Sequence, residues 1–172
     1  MKSNSKYKIE FAGLKIGEHQ FNFSAANEFF DRFNFSDFNN VEVEINVDLT
    51  KKTTLLELFF DLKGSVNVNC DLTNEPFDLK IENSAKLVVK FGQEFNDEDD
   101  EILVLPHGEH KLFVDQYIFE LIVLSLPSKR IHPGVEDGSL KSEMLEILEN
   151  LKPKENSNLA DPRWEQLKNL KK

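Results

Sequence analysis

Hydrophobic and polar positions alternate with a period of two through the middle of the chain. The longest such run places five apolar side chains on one face: Val41, Val43, Ile45, Val47 and Leu49. Similar alternation recurs over residues 55–62, 65–70, 77–81 and 85–91, with short polar connections between them. One apolar and one polar face are typical of half-buried antiparallel strands. The pattern therefore predicts a curved, mostly antiparallel sheet, either a meander or a partial barrel.

Two segments change to the helical period. Residues 24–33 predict a short helix with Ser24 as its N-cap and four apolar side chains on one face: Ala26, Phe29, Phe30 and Phe33. Residues 114–126 are apolar on almost every side, which predicts a helix buried against the sheet. Its apolar positions are Val114, Ile118, Leu121, Ile122 and Leu124. Asp115 is the expected cap of this helix, and Pro127 is expected to end it.

Shorter segments complete the predicted fold. Residues 7–11 and 19–23 predict two short strands around a turn. Gly64 is expected to separate strand 55–62 from strand 65–70. The predicted fold class is thus α+β, with one short N-terminal helix, one buried helix and a helical C-terminal tail.

Beyond Pro127 the chain becomes more polar, and this change predicts the domain organisation. Residues 1–130 are expected to form a single α+β domain. Residues 131–160 are expected to be a flexible linker that contains an amphipathic helix at 140–151, and residues 161–172 a short C-terminal helix. The amphipathic helix would place its apolar side chains on one stripe: Leu140, Met144, Ile147, Leu148 and Leu151.

The charge balance restricts the classes of partner. The chain has 21 Lys and Arg against 31 Asp and Glu, a formal net charge of −10. Such a surface repels phosphates, so DNA binding is not expected and direct RNA contact is disfavoured. No apolar run is long enough to span a bilayer, so no membrane association is expected, and the expected location is the cytoplasm. The sequence predicts no cofactor and no particular oligomeric state.

The only cysteine, Cys70, has three interpretations: a nucleophile, a metal ligand or a core side chain. It is in strand phase with Val66 and Val68, on the apolar side, which favours the core interpretation. His107 and His110 bracket Glu109 and could share a metal, but a structural zinc site usually needs four ligands with thiolates among them. A solvated turn is therefore favoured there.

Charged and aromatic surface positions give the candidate partner-binding residues. The acidic ones are expected in a loop, either solvated or as a docking surface for a basic partner: Glu94, Asp97, Glu98, Asp99, Asp100 and Glu101. Lys129, Arg130 and Arg163 lie in basic stretches where any RNA contact is expected. Trp164 is either an anchor on the same molecule or a partner contact.

Several short motifs occur in a characteristic order: "GSVNVNCDLTNEPF", an acidic loop, "DQYIFELIVLSLPSKRIHP" and "DPRWEQLKNLK". In this order and spacing the chain resembles the YceD-like family, the large ribosomal RNA subunit accumulation proteins of bacteria and plastids. The resemblance covers about residues 9–130 and 161–171, and the acidic loop and "LSLPSKRIHP" look most like Bacteroidetes-type members.

The resemblance also identifies family-motif residues. Cys70 matches the first cysteine of a motif that has two in many relatives, and Glu75, Pro76 and Phe77 match its end. Thr73 stands where the second cysteine would be, so a paired-cysteine role cannot be carried over. Glu120 occupies the family's acidic position in the helical motif, and Pro127 follows it.

The resemblance implies a non-enzymatic accessory role in the accumulation, processing or assembly of large-subunit ribosomal RNA. The expected partner is a ribosomal protein or a large-subunit precursor particle. Two alternatives are a thiol-dependent enzyme or redox module that uses Cys70, and a protein-interaction domain unrelated to ribosomes.

Overall fold

The computed structural model describes residues 6–99 and 101–151. The strands are β1 (Lys8–Ile9), β2 (Gly17–Ala25), β3 (Asn40–Lys51), β4 (Leu55–Asn69), β5 (Pro76–Gly92), β6 (Asn96–Asp99), β7 (Ile102–Pro106) and β8 (Leu112–Phe113). The helices are α1 (Asn27–Asp31), α2 (Asp115–Leu124), α3 (Pro133–Glu136) and α4 (Glu143–Leu151). The α+β class is therefore confirmed. None of the helices in these described ranges is long and apolar enough to cross a membrane.

Six strands form one sheet in the order β2-β3-β4-β5-β7-β6. The meander from β2 to β5 is antiparallel and confirms the prediction, whereas β7 pairs with β5 in parallel. Within the described residues, β2 and β6 each have one neighbour in this order, so the sheet is open and uncurled rather than a partial barrel. The predicted strand near the N-terminus does not pair with β2: β1 pairs instead with β8.

Gly64 does not interrupt the sheet, contrary to the prediction. It lies inside the continuous strand β4 and faces Val43 of β3 and Ile81 of β5. A Cβ atom at this position would clash with the backbone oxygen of Glu42 and lie 2.6 Å from Cα of Val43. The glycine is thus required by the close approach of β3 and not by a turn.

The core lies on the apolar face of the meander, with α2 packed over β5. The alternating side chains of β3 and β4 are buried as predicted, including Ile45, Leu58 and Phe60. Ile118 and Ile122 of α2 are also buried, which confirms the buried helix.

Three details of α2 differ from the prediction. Val114, not Asp115, occupies the N-cap position, and the Asp115 carboxylate pairs with Arg32 at 3.1 Å. The helix ends at Leu124, before Pro127 is reached. Leu124 itself is 77% exposed and does not belong to the buried stripe.

A cluster of phenylalanines surrounds α1. Phe29 and Phe30 are buried on this helix with their rings 5.2 Å apart, and Phe33 stacks on Phe119 of α2 at 4.2 Å. Ser24 lies in β2 rather than at the cap, which is Ala26. The cluster fastens the β2–β3 connection to α2 and accounts for much of the chain's unusual phenylalanine content.

The last described element is α4, which lies inside the range 140–151 where the sequence places an amphipathic helix. None of its residues is buried. The proposed division into domains stays a prediction. Residues 152–160, the C-terminal helix expected at 161–172, and with it Arg163 and Trp164, lie outside the described residues.

Candidate functional site

The acidic segment is an edge strand and not the predicted loop. Residues Asn96–Asp99 form β6, which pairs antiparallel with β7 through a register irregularity. Side-chain oxygens satisfy nearby backbone groups: Asn96 Oδ1 accepts from the Glu98 N–H at 3.0 Å, and Asp99 Oδ1 accepts from the Glu101 N–H at 2.9 Å. Sequence alternation could not show this strand because all four of its side chains are polar and exposed.

The candidate acidic residues within the described part are all exposed: Glu94, Asp97, Glu98, Asp99 and Glu101. Asp100 lies outside the described residues. Pairing with β7 places Asp97, Asp99 and Glu101 along one edge of the sheet, beside the apolar strand that carries Leu103 and Leu105.

A groove of about 1030 Å³ lies between this edge of the sheet and α2; we call it the acidic groove. Its apolar lining includes Leu103, Leu105 and Leu121, together with the exposed side chains of Phe95 and Leu124. Its carboxylates come from three separate segments of the chain, the acidic segment, the β7–β8 connection and α2: Asp97, Asp99, Glu101, Glu109, Asp115 and Glu120. Lys86 and Lys111 also line it, so acids outnumber bases.

Carboxylates on both walls of the acidic groove affect the pKa of one side chain, Tyr117 of α2. Burial, the Asp97 carboxylate on β6 and the Glu120 carboxylate on α2 together raise the pKa of the Tyr117 phenol to about 12. The phenol therefore stays protonated at neutral pH. Glu120 also accepts a hydrogen bond from Gln116 Nε2 at 2.6 Å. The fold thus brings Glu120 close to the acidic segment, a proximity that their sequence separation does not reveal.

Residues 70–75 form a tight turn between β4 and β5; we call it the cysteine turn. The Cys70 N–H donates to the Glu75 carbonyl at 2.9 Å, and the Asn74 N–H donates to the Cys70 carbonyl at 2.8 Å. Asn74 adopts a left-handed conformation, with φ of 59°, which asparagine tolerates better than most residues. Cys70 is 2% exposed, as its strand phase predicts, and Thr73 is also buried.

The side chain of Thr73 forms a hydrogen bond with the Cys70 thiol. Burial by itself would raise the pKa of the Cys70 thiol. Hydrogen bonds to the sulfur from the Thr73 side chain and from the backbone N–H groups of His132, Leu72 and Thr73 outweigh burial and hold this pKa below its usual value. The Thr73 hydroxyl is therefore a hydrogen-bond partner of the Cys70 sulfur.

The turn is closed from the outside by the segment that follows α2. The His132 N–H donates to Cys70 Sγ at 3.3 Å, and the His132 ring lies 5.4 Å from the ring of Phe77. Its Nδ1 accepts from the Gly134 N–H at 2.9 Å instead of contacting the thiol as a base.

Arg130 is engaged with the same turn. Its N–H donates to Asp71 Oδ2 at 2.7 Å, its carbonyl accepts from the Asp71 N–H at 2.8 Å, and its guanidinium lies 3.3 Å from Asp71 Oδ1. Lys129 and Pro127 are exposed beside it, whereas Phe77 is buried and Pro76 begins β5. Asp71, which the sequence did not single out, is thus the residue that joins the two motif segments.

The acidic groove and the cysteine turn are far apart. The turn precedes Pro76, whereas β7 meets β5 from Val88 onward. At the rise of a β-strand, Val88 and the acidic residues beside β7 are roughly 40 Å from Pro76, and Ser84, at the near end of the groove, is roughly 26 Å from it. The candidate residues therefore divide into two groups that cannot form one site. Among residues 6–99 and 101–151, no group of three or more His, Cys, Asp or Glu side chains could hold a metal ion.

A family model described as "Large ribosomal RNA subunit accumulation protein YceD" matches residues 58–171. The chain belongs to the YceD family. No curated protein matches the chain, and no solved structure does.

The match to the YceD family begins inside β4 and includes the cysteine turn, the acidic groove and α4. The expected family membership is confirmed, while β2, α1 and β3 lie outside the matched range. The family is named for the accumulation of large-subunit ribosomal RNA and not for a reaction. The placement within Bacteroidetes-type members stays a prediction.

Proposed function

We propose that this YceD-family chain is a non-enzymatic accessory factor in the accumulation, processing or assembly of large-subunit ribosomal RNA. It acts by binding a basic ribosomal protein or a precursor particle, and it does so in the cytoplasm. The observation that carries this proposal is the family match over residues 58–171.

The charge distribution supports a protein as the direct contact rather than RNA. The chain carries a net charge of −10, and the acidic groove concentrates carboxylates next to exposed apolar side chains. Fields of this sign accelerate association with basic proteins and repel phosphates. Of the basic candidates, Arg130 is engaged with Asp71, which leaves Lys129 as the exposed basic candidate among the described residues.

A pull-down from cells that express the tagged chain tests this proposal. We expect large-subunit components to be retained at low salt and largely released at high salt. In parallel, depletion of the protein should lower the ratio of large- to small-subunit ribosomal RNA. Absence of large-subunit components at either salt, together with an unchanged RNA ratio, would refute the proposal and favour an interaction domain unrelated to ribosomes.

A charge-matched pair of variants adds a control. The triple variant Asp97→Asn, Asp99→Asn, Glu101→Gln should weaken retention of the partner. Its control, Glu18→Gln, Glu42→Gln, Glu44→Gln, removes three exposed carboxylates on β2 and β3 and should retain the partner as the unchanged chain does. Equal losses in the two variants would show that total charge, rather than the acidic edge, controls binding.

A second candidate function, thiol chemistry at Cys70, is favoured by the lowered pKa of its thiol. The burial of Cys70 and the engagement of the His132 ring with Gly134 weigh against it. We expect Cys70→Ala and Cys70→Ser to restore ribosomal RNA accumulation in depleted cells. Loss of rescue by both variants, with unchanged folding, would instead support the thiol mechanism.

A further inference from the structure

The helix α2 covers only part of the sheet face on which it packs. Beside it, β5 and β7 form the floor of the acidic groove, and β6 forms one of its walls. Three large apolar side chains that line the groove remain exposed: Phe95 at 57%, Phe113 at 38% and Leu124 at 77%. Large apolar side chains that share one groove and are rimmed by polar groups are typical of a surface that a partner covers.

The charge of the rim selects the kind of partner. Asp97, Asp99 and Glu101 line one wall, and Glu120 stands on α2 across from them. Asp115 is engaged with Arg32, and Lys111 lies 5.2 Å from the centre of the Phe113 ring. The remaining excess of carboxylates complements lysine and arginine and opposes the phosphates of a nucleic acid.

The geometry favours a helix over an added strand. A strand would have to pair with β6, but β6 spans only Asn96–Asp99 and is irregular in its register with β7. The Glu98 N–H beside this edge is already satisfied by the Asn96 side chain. Irregular, short edges oppose strand addition. By contrast, a second helix beside α2 would extend the layer of helix on sheet that the fold already contains.

We propose that the acidic groove binds a basic amphipathic α-helix of a protein partner. The apolar stripe of that helix packs on the exposed side chains of Phe95, Phe113 and Leu124, and its flanking lysines or arginines face the two acidic walls. This inference rests on the proposed function, since it specifies how a basic protein of the large subunit is held.

Binding of a designed peptide to the full chain tests the inference. The probe is a fluorescently labelled 18-residue peptide of leucine, alanine and lysine with one apolar stripe. Its control has the same composition in an order that destroys the stripe. We expect the amphipathic peptide to bind at least about tenfold more tightly than the control. Equal affinity of the two peptides would show charge attraction without a groove and would overturn the inference.

Two surface variants locate the binding. Leu124→Lys should reduce the affinity for the amphipathic peptide by about tenfold or more, because it places a positive charge where the apolar stripe packs. Ile16→Lys is the matched control, since Ile16 is 66% exposed and does not line the acidic groove. Unchanged affinity in Leu124→Lys, or an equal loss in Ile16→Lys, would overturn the inference. So would preferential binding of an RNA oligonucleotide.

The same variants separate this inference from the proposed function. If Leu124→Lys loses the peptide but depletion of the protein leaves ribosomal RNA unchanged, the groove binds helices and the proposed function fails. If depletion lowers large-subunit RNA but Leu124→Lys binds the peptide normally, the inference fails and the proposed function stands. Self-association that Leu124→Lys abolishes, measured by analytical ultracentrifugation, would make a second copy the occupant and overturn the inference.

Discussion

The cysteine turn and the acidic groove contain similar residue types. These residues are mainly buried or paired in the turn, whereas several of them are exposed in the groove. In the turn, Cys70, Thr73 and Phe77 are buried, and Asp71 is neutralised by Arg130. In the groove, Phe95 and Leu124 are exposed, and carboxylates outnumber bases. A motif whose groups are satisfied within the molecule stabilises the fold, whereas an open apolar surface with unbalanced charge is suited to binding. The turn therefore has the features of a structural element, and the groove has the features that the proposed binding surface requires.

The largest expected effect compares one substitution in both regions. Phe77→Ala should lower the free energy of unfolding by about 3 kcal/mol, because it leaves a cavity beside Val68 and His132. Phe95→Ala, at an exposed position, should change it by less than about 0.5 kcal/mol. Urea denaturation followed by circular dichroism measures both values. A similar cost at the two positions would break the distinction between the regions.

An intermediate effect is expected at Thr73. Thr73→Val should lower the free energy of unfolding by about 1 kcal/mol, because the Cys70 thiol and the Glu75 N–H lose a partner. It should also raise the pKa of Cys70, because the hydrogen bond from Thr73 stabilises the thiolate and the variant lacks it. The ultraviolet absorbance of the thiolate follows this titration, and no second thiol interferes because the chain has one cysteine.

The control for Thr73 is Thr53→Val, in the exposed turn between β3 and β4. This variant should leave both the stability and the Cys70 titration unchanged. If Thr73→Val behaves in the same way, the hydroxyl does not support the turn and does not stabilise the Cys70 thiolate.

The smallest expected effect concerns Tyr117 in the acidic groove. Its pKa is raised from 10.0 to about 12, by burial first and then by Asp97 and Glu120. Since the folded state holds the phenolic proton more tightly, this stabilisation is complete below pH 10 and is lost as the pH rises toward 12. Asp97→Asn or Glu120→Gln should each lower the pKa by a fraction of a unit, measured from phenolate absorbance.

Tyr117→Phe identifies the Tyr117 titration, because the remaining tyrosine, Tyr7, then titrates alone. A Tyr117 pKa that is insensitive to both carboxylate substitutions would show that the two walls do not face this side chain. That result would weaken the argument that the acidic groove is complementary in charge to a basic helix.

Local pattern predicted the strands well where one face is buried. The alternation in β3 and β4 identified the core side chains, because strand phase alone decides which face they occupy. Gly64 was misinterpreted because its requirement comes from the backbone of β3, which lies beside it only in the fold. The strand β6 was missed because pairing with β7, and not its own polar sequence, defines it.

The site was less predictable than the fold for the same reason. Charge counting found the acidic residues, but only the packing of α2 on β5 places Glu120, Tyr117 and Asp97 together. The cap assigned to Asp115 failed because a distant arginine, Arg32, engages its carboxylate. The role of Asp71 could not be predicted from the sequence, because its partner Arg130 lies in the segment after α2, which only the fold brings next to the cysteine turn.

The length of β5 sets the reach that a ligand needs in order to contact both ends of the molecule. The Arg130–Asp71 contact holds the chain beyond α2 at one end of this strand, and the acidic groove lies toward the other. A single continuous helix that bridged roughly 40 Å would need about 27 residues at 1.5 Å per residue. A short helix seated beside β6 and β7 therefore does not reach the turn, whose groups are already satisfied within the molecule.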